Sequence, residues 1–133
     1  MASQLYIQAK QKFLDGDLSW RDDIIHVLLV DLADYTPNLV TDEFLADIPL
    51  AARVATSEEL SGKTSLMGVA DADDVLFNAV TGDVSEALVV FRETGDPATS
   101  ELIAFIDTAT NLPITPDGSD ILVQWDAAGV FAL

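Results

Sequence analysis

The sequence predicts a mainly β protein: an antiparallel β-sandwich, of immunoglobulin-like or jelly-roll-like type, with about seven strands and one N-terminal helix. Three observations predict this fold. Short β-rich segments alternate with turn residues along most of the chain. No long helical segment separates them, so parallel strands joined by crossover helices are not expected. Two segments, 87–92 and 102–107, are apolar on both of their faces.

Those two segments predict a central hairpin. The link between them contains Gly95, Asp96 and Pro97, which are typical turn residues. Successive side chains of a strand point to opposite faces, so a strand covered on one face only alternates apolar and polar residues. Both arms are apolar at consecutive positions instead. They are therefore expected to be covered on both sides by the rest of the chain.

The first segment predicts a helix over 4–15. Ser3 is the expected cap, and Gly16 stands where a helix commonly ends. Apolar residues recur at helical spacing, at Leu5, Ala9 and Phe13. Trp20, after a short linker, is expected to cover one end of the core. The 133 residues have the size of one domain, which we divide into helix and linker, 1–20, and β-sandwich, 21–133.

The other elements follow in order from β-rich or alternating segments. The predicted strands are 24–31, 51–60 as an edge strand, 63–68, 75–80 and 120–126. Segment 51–60 also contains helix-favouring residues at its end. Thr41 is expected to cap one helical turn over 42–47. The apolar tail 130–133 is either a final strand or a contact between subunits.

Composition excludes several classes of function. The chain has 23 acidic and 6 basic residues, a net charge of −17. Such a charge argues against nucleic acid and against anionic membrane surfaces, both of which require Lys and Arg. The absence of Cys excludes disulfides, thiolate catalysis and Cys-based metal sites. We also find no signal peptide and no apolar run of membrane-spanning length. A folded, soluble, acidic domain is expected.

No residue pattern predicts catalysis. His26 is the only His, and its apolar strand without a paired Ser or Cys motif favours a structural role. Asp31 and Asp34 could form the carboxylate pair of a glycosidase, which is the one enzyme alternative we keep. Gly62-Lys63-Thr64 lacks the earlier glycine of a phosphate-binding loop. We therefore predict a non-enzymatic protein with no catalytic residue and no cofactor.

Two further groups have a structural interpretation beside a functional one. Asp71, Asp73 and Asp74 resemble a hard-cation site, but the EF-hand spacing is absent and a solvated strand entry is favoured, so no metal is predicted. An aromatic binding platform is the alternative to core packing, which is favoured, for three residues: Trp20, Trp125 and Phe131.

Several stretches, in order along nearly the whole chain, resemble small virion structural proteins of tailed bacteriophages. They are Lys12-Phe13-Leu14, Gly16-Asp17-Leu18-Ser19-Trp20, Ile25-His26-Val27-Leu28-Leu29-Val30-Asp31, Ala33-Asp34-Tyr35, Phe44-Leu45-Ala46-Asp47-Ile48-Pro49, Ala52-Arg53-Val54-Ala55, Gly68-Val69-Ala70-Asp71-Ala72-Asp73-Asp74-Val75, Phe77, Ala79-Val80-Thr81-Gly82, Ile106-Asp107-Thr108-Ala109-Thr110, Leu112-Pro113 and Trp125-Asp126. The resemblance implies a β-sandwich with an N-terminal helix and no enzymatic activity.

The resemblance also implies a place in the virion. We expect a capsid decoration or cement protein bound to the major capsid protein or other virion proteins. The alternative is a tail- or fibre-associated protein that binds host glycans, which exposed loop aromatics would favour; Tyr35 is the one candidate. The chain is expected to form a homo-oligomer, a trimer first and a dimer second. The residues expected to serve assembly are Leu5, Phe13, Trp20, Val130, Phe131 and Leu133.

Overall fold

A computed structural model describes residues 3–109 and 112–133, so the outermost positions 1–2 of the predicted N-terminal unit lie outside it. Its helices and strands are labelled in chain order. They are β1 Ser3–Leu5, α1 Ile7–Asp15, β2 Ile25–Val30, β3 Arg53–Thr56, β4 Thr64–Leu66, β5 Val69–Asp71, β6 Val75–Phe77, β7 Ala87–Arg92, β8 Leu102–Ile106, β9 Ile121–Val123 and β10 Phe131–Ala132, with short 3-10 helices at Leu45–Asp47 and Leu50–Ala52.

The strands form one five-stranded sheet, in the order β1-β8-β7-β2-β3, a three-stranded sheet, β10-β5-β4, and the pair β6-β9. Every pairing between these strands is antiparallel. The predicted mainly β, sandwich-like fold with one N-terminal helix is confirmed. The described residues contain ten strands rather than about seven, because several of them have only two or three residues.

The central hairpin is confirmed. β7 and β8 pair with each other and occupy interior positions of the five-stranded sheet. Leu28, Val89 and Phe105 are aligned across three strands and share one face, whereas the adjacent row, Leu29, Leu88 and Ile106, shares the other. All six side chains are buried. Both faces of the sheet are thus covered, as the unbroken apolar runs of these strands predicted.

The predicted start of the helix, at residue 4 with Ser3 as its cap, is wrong. Ser3–Leu5 is a strand, with Leu5 opposite Ala104 of β8, and the helix begins at Ile7. Tyr6 occupies the N-cap position without a side-chain cap, and its N–H donates to the Ile103 carbonyl at 3.0 Å. Pairing with β8 therefore extends the chain where local capping signals favoured a helix. The N-terminal segment is the edge strand of the main sheet.

The other end of the helix is as predicted. Gly16 has a φ of +80°, and its N–H contacts the carbonyls of Lys12 and Phe13. A glycine adopts this left-handed conformation without the strain that a Cβ would add. The linker then leads to Trp20, which is buried, as expected for a residue that covers the core.

Two local predictions between residues 41 and 68 need correction. The turn predicted over 42–47 is a 3-10 helix, Leu45–Asp47, and Thr41 does not cap it. The Asp47 carboxylate accepts hydrogen bonds from the backbone N–H groups of Glu43, at 2.8 Å, and Phe44, at 3.0 Å, instead. The strand predicted over 63–68 is shorter, β4 covering only Thr64–Leu66, because the chain turns at Met67-Gly68 and β4 pairs with β5. β3 is an edge strand, as predicted.

Candidate functional site

An aromatic cluster joins the helix to the three-stranded sheet. The Phe131 ring lies 5.9 Å from that of Phe13 and 5.1 Å from that of Trp20, with an edge-to-face angle of 84° to Trp20. The indole N–H of Trp20 donates to the carbonyls of Thr64, at 3.0 Å, and Asp71, at 3.1 Å. These contacts fix the linker against β4 and β5, so the two units predicted at 1–20 and 21–133 pack together here.

The C-terminal tail is a strand of this sheet. Val130 and Phe131 are buried, and the Val130 N–H donates to the Ala70 carbonyl at 2.7 Å. Gly129, at a φ of +97°, permits the close approach: a Cβ there would lie 2.6 Å from Cγ1 of Val69. Of the two interpretations of the tail, the final strand is the one that the fold supports.

The six residues predicted for assembly are mostly committed to packing within the chain. Trp20, Val130 and Phe131 are buried, and Leu5 and Phe13 are half-buried. Leu133 alone among the six is largely exposed, at 67%. Their role in assembly stays a prediction.

A group of exposed apolar side chains that the sequence argument missed lies beside Leu133. The β4–β5 turn at Met67-Gly68 meets the tail, where the Leu133 N–H donates to the Gly68 carbonyl at 2.9 Å. Leu14 lines a cleft of about 320 Å³ with Leu133, together with Lys10, Phe13 and Ala132. We use the name hairpin-tip patch for four exposed side chains, two on the hairpin and two on the adjoining cleft: Leu66, Met67, Leu14 and Leu133, which are 74%, 93%, 85% and 67% exposed.

One sequence signal could have located the hairpin-tip patch. Residues 64–70 read Thr-Ser-Leu-Met-Gly-Val-Ala, a run without a single charge in a chain that is 22% charged. Leu14 lies beside the predicted apolar stripe of the helix and not on it. Residues 64–68 of this run are exposed, and an exposed uncharged segment that contains a leucine and a methionine indicates a contact surface.

Ion pairs bind the helix to the end of the central hairpin. Glu101 is buried, with its Oε1 3.1 Å from Nε of Arg92 and its Oε2 4.0 Å from Nζ of Lys12. Arg92 also lies 3.6 Å from Asp23, and Lys12 lies 3.5 Å from Glu43. A buried carboxylate held between two cations is accounted for as a structural contact.

Tyr35 is not an exposed loop aromatic, so the sequence expectation for it is wrong. Its side chain is buried, and its hydroxyl lies 3.0 Å from that of Tyr6 and donates to Oδ2 of Asp42 at 2.7 Å. The buried pair of tyrosines connects the N-terminus of the helix to the loop that follows β2. The feature that would have favoured host-glycan binding is therefore absent at Tyr35.

The structure brings Asp31 and Asp34 together with a third carboxylate, Asp83. One oxygen of each lies within 4.8 Å of the others. Asp31 is buried, with its Oδ1 accepting the Ala33 N–H at 2.9 Å, whereas Asp34 and Asp83 are exposed. It is the only such three-ligand group in residues 3–109 and 112–133. The sequence could not predict Asp83, which comes from a distant turn.

The Asp71–Asp74 segment does not form a comparable group in that part of the chain. Oδ1 of Asp71 accepts the N–H of its neighbour Ala72 at 2.9 Å, and Oδ1 of Asp74 accepts the Trp125 N–H at 3.3 Å. The Trp125 indole donates to the Asp73 carbonyl at 3.0 Å. Trp125 therefore packs over this strand entry and not with the aromatic cluster.

His26 is half-buried in β2. Its Nδ1 lies 2.8 Å from the Ser57 carbonyl, and its ring stacks on Phe91 at 6.2 Å. These contacts suit the structural role predicted for it.

Comparison with known proteins assigns no family. No family model matches the chain, and no curated protein matches it significantly. No helix in the described part of the chain has the length and apolar character to cross a membrane.

Proposed function

We propose that this protein is a non-enzymatic structural component of a tailed-phage virion, most simply a capsid decoration or cement protein on the outer shell. The observation that carries the proposal is the hairpin-tip patch. Leu66 and Met67 are exposed on the β4–β5 hairpin, and Leu14 and Leu133 are exposed along the cleft that adjoins it. Such a patch on a folded domain favours attachment to another protein.

The polar groups of the interior support a structural role. Glu101 forms an ion pair with Arg92, and the hydroxyls of Tyr6 and Tyr35 lie within hydrogen-bond distance of each other. His26 forms its hydrogen bond with the Ser57 carbonyl. The carboxylate group of Asp31, Asp34 and Asp83 is the remaining candidate for chemistry. The partners in this proposal are the major capsid protein or other virion proteins, without nucleic acid or membrane, and its oligomer is a trimer first and a dimer second.

Copy number in purified particles tests the proposal. We expect gel densitometry to find hundreds of copies per particle, because a decoration protein repeats over the shell, and analytical ultracentrifugation to find a small closed oligomer. About a dozen copies or fewer would place the protein at the neck or tail. Absence from particles, or glycan turnover that Asp31→Asn or Asp34→Asn removes from a folded protein, would contradict a structural role.

A further inference from the structure

The β4–β5 turn places a methionine in a conformation that suits other residues better. Leu66 pairs with Val69, so Met67 and Gly68 form a two-residue hairpin turn. Their φ angles are +52° and +81°, both left-handed. Turns of this kind favour Asn-Gly, because Asn tolerates positive φ and a side chain such as Met is strained there. The turn geometry therefore does not account for Met67.

Packing within the chain does not account for it either. Met67 is 93% exposed, the most exposed of the large apolar residues that the structure describes. Its neighbour Leu66 is also exposed and lies on β4, the edge strand of the three-stranded sheet. A strained residue that serves neither its turn nor the core points to a contact outside the chain. Methionine is suited to such a contact because its flexible thioether adapts to an apolar pocket.

We propose that Met67, with its neighbour Leu66 on the β4–β5 hairpin, inserts into an apolar pocket on a partner protein whose surrounding surface is basic. The inference rests on the proposed structural role and names the attachment surface. The exposed part of the uncharged run, residues 64–68, supplies the apolar centre, and the net charge of −17 on the whole molecule supplies attraction to a basic partner. Complementary charge steers association and excludes acidic partners.

A second copy of this chain fits the patch less well. It would bring another charge of −17 against the first. At a contact as small as the one that Leu66 and Met67 offer, this repulsion is not offset, whereas a larger interface elsewhere on the surface can offset it. The same contact on a basic surface gains attraction instead.

Met67→Asn tests the inference because it separates stability from binding. Asparagine suits the turn, so we expect the melting temperature of the domain to rise by about 3–5 °C. The same variant loses the methionine, so we expect its affinity for particles assembled without this protein to fall about tenfold or more. Leu66→Ser should weaken binding as well. Leu50→Ser is the matched control: Leu50 is 78% exposed but precedes β3, which belongs to the main sheet and not to the sheet of the β4–β5 hairpin, and should bind as wild type.

Each other result overturns a defined part of the argument. If the wild-type protein and Met67→Asn bind particles equally well, Met67 is not part of the attachment surface, although the proposed structural role still stands. If the wild-type protein does not bind particles, both the attachment surface and the structural role are contradicted. A concentration-dependent dimer that Leu66→Ser abolishes assigns the patch to a second copy. If high salt leaves particle binding unchanged, the partner's surface around the pocket is not basic. If Met67→Asn lowers the melting temperature, Met67 is not strained in the turn.

Discussion

Tyr6 and Tyr35 are two buried side chains whose hydroxyls, 29 residues apart in sequence, contact each other. Burial, the largest cause, raises the pKa of both phenols above their ordinary value of 10.0. The hydrogen bond to Tyr6 and the charge of Asp42 add to the rise in the pKa of Tyr35. Both hydroxyls thus remain protonated in the folded protein well beyond the pH at which free tyrosine ionises.

Alkaline titration should expose this arrangement. A raised folded-state pKa favours the protonated phenol, so its contribution to stability is fully present below about pH 10 and is lost as the pH rises further. These are the two tyrosines of the chain, so the ultraviolet absorbance of tyrosinate reports on them alone. We expect that absorbance to rise only together with loss of the circular dichroism of the fold.

Tyr35→Phe is the matched variant for this titration. It removes the ionisable hydroxyl and leaves the aromatic ring, so the loss of stability at alkaline pH should become smaller. Tyrosinate formation near pH 10 in protein that keeps its native circular dichroism would contradict buried phenols. The sequence placed Tyr35 in a loop correctly but could not reveal its burial, because the hydrogen bonds to Tyr6 and Asp42 depend on tertiary structure.

At the scale of elements, the central hairpin carries the core. Phe105 on β8 lies opposite Val89 on β7 and is only 6% exposed. We expect Phe105→Ala to lower the free energy of unfolding by about 3–5 kcal/mol, because it leaves a cavity in a covered face. Urea denaturation measures the change. Leu122→Ala, on the outward face of β9 and 49% exposed, is the control and should cost far less.

An unchanged denaturation midpoint for Phe105→Ala would mean that the face bearing Phe105 is not packed. The two arms of this hairpin could be predicted because consecutive apolar residues are a local property of buried strands. The start of the helix could not. Ser3 and the spacing of Leu5 favour a helix locally, but backbone pairing of Leu5 with Ala104, almost a hundred residues away, outweighs that preference.

The molecule as a whole combines a packed apolar core with a surface dominated by one sign of charge. Of the six basic side chains, Lys12 and Arg92 are engaged in the ion pairs around Glu101, and Arg53 and Lys63 donate to backbone carbonyls. Few cations therefore remain to offset 23 acidic residues. Composition alone predicted this excess, but the convergence of Asp31, Asp34 and Asp83 required the fold, because two separate loops supply them.

Salt should therefore stabilise the protein by screening and not by binding at one site. The Debye length falls from about 30 Å at 0.01 M to about 8 Å at 0.15 M ionic strength, which weakens repulsion among the exposed carboxylates. We expect sodium chloride to raise the melting temperature and calcium chloride at equal ionic strength to raise it no further. EDTA should leave the melting temperature unchanged. Scanning calorimetry at matched ionic strength makes the comparison. A larger rise with calcium that Asp34→Asn abolishes would show instead that the Asp31–Asp34–Asp83 group holds a cation, since Asp34→Asn removes one of its three carboxylates and leaves the buried Asp31 in place.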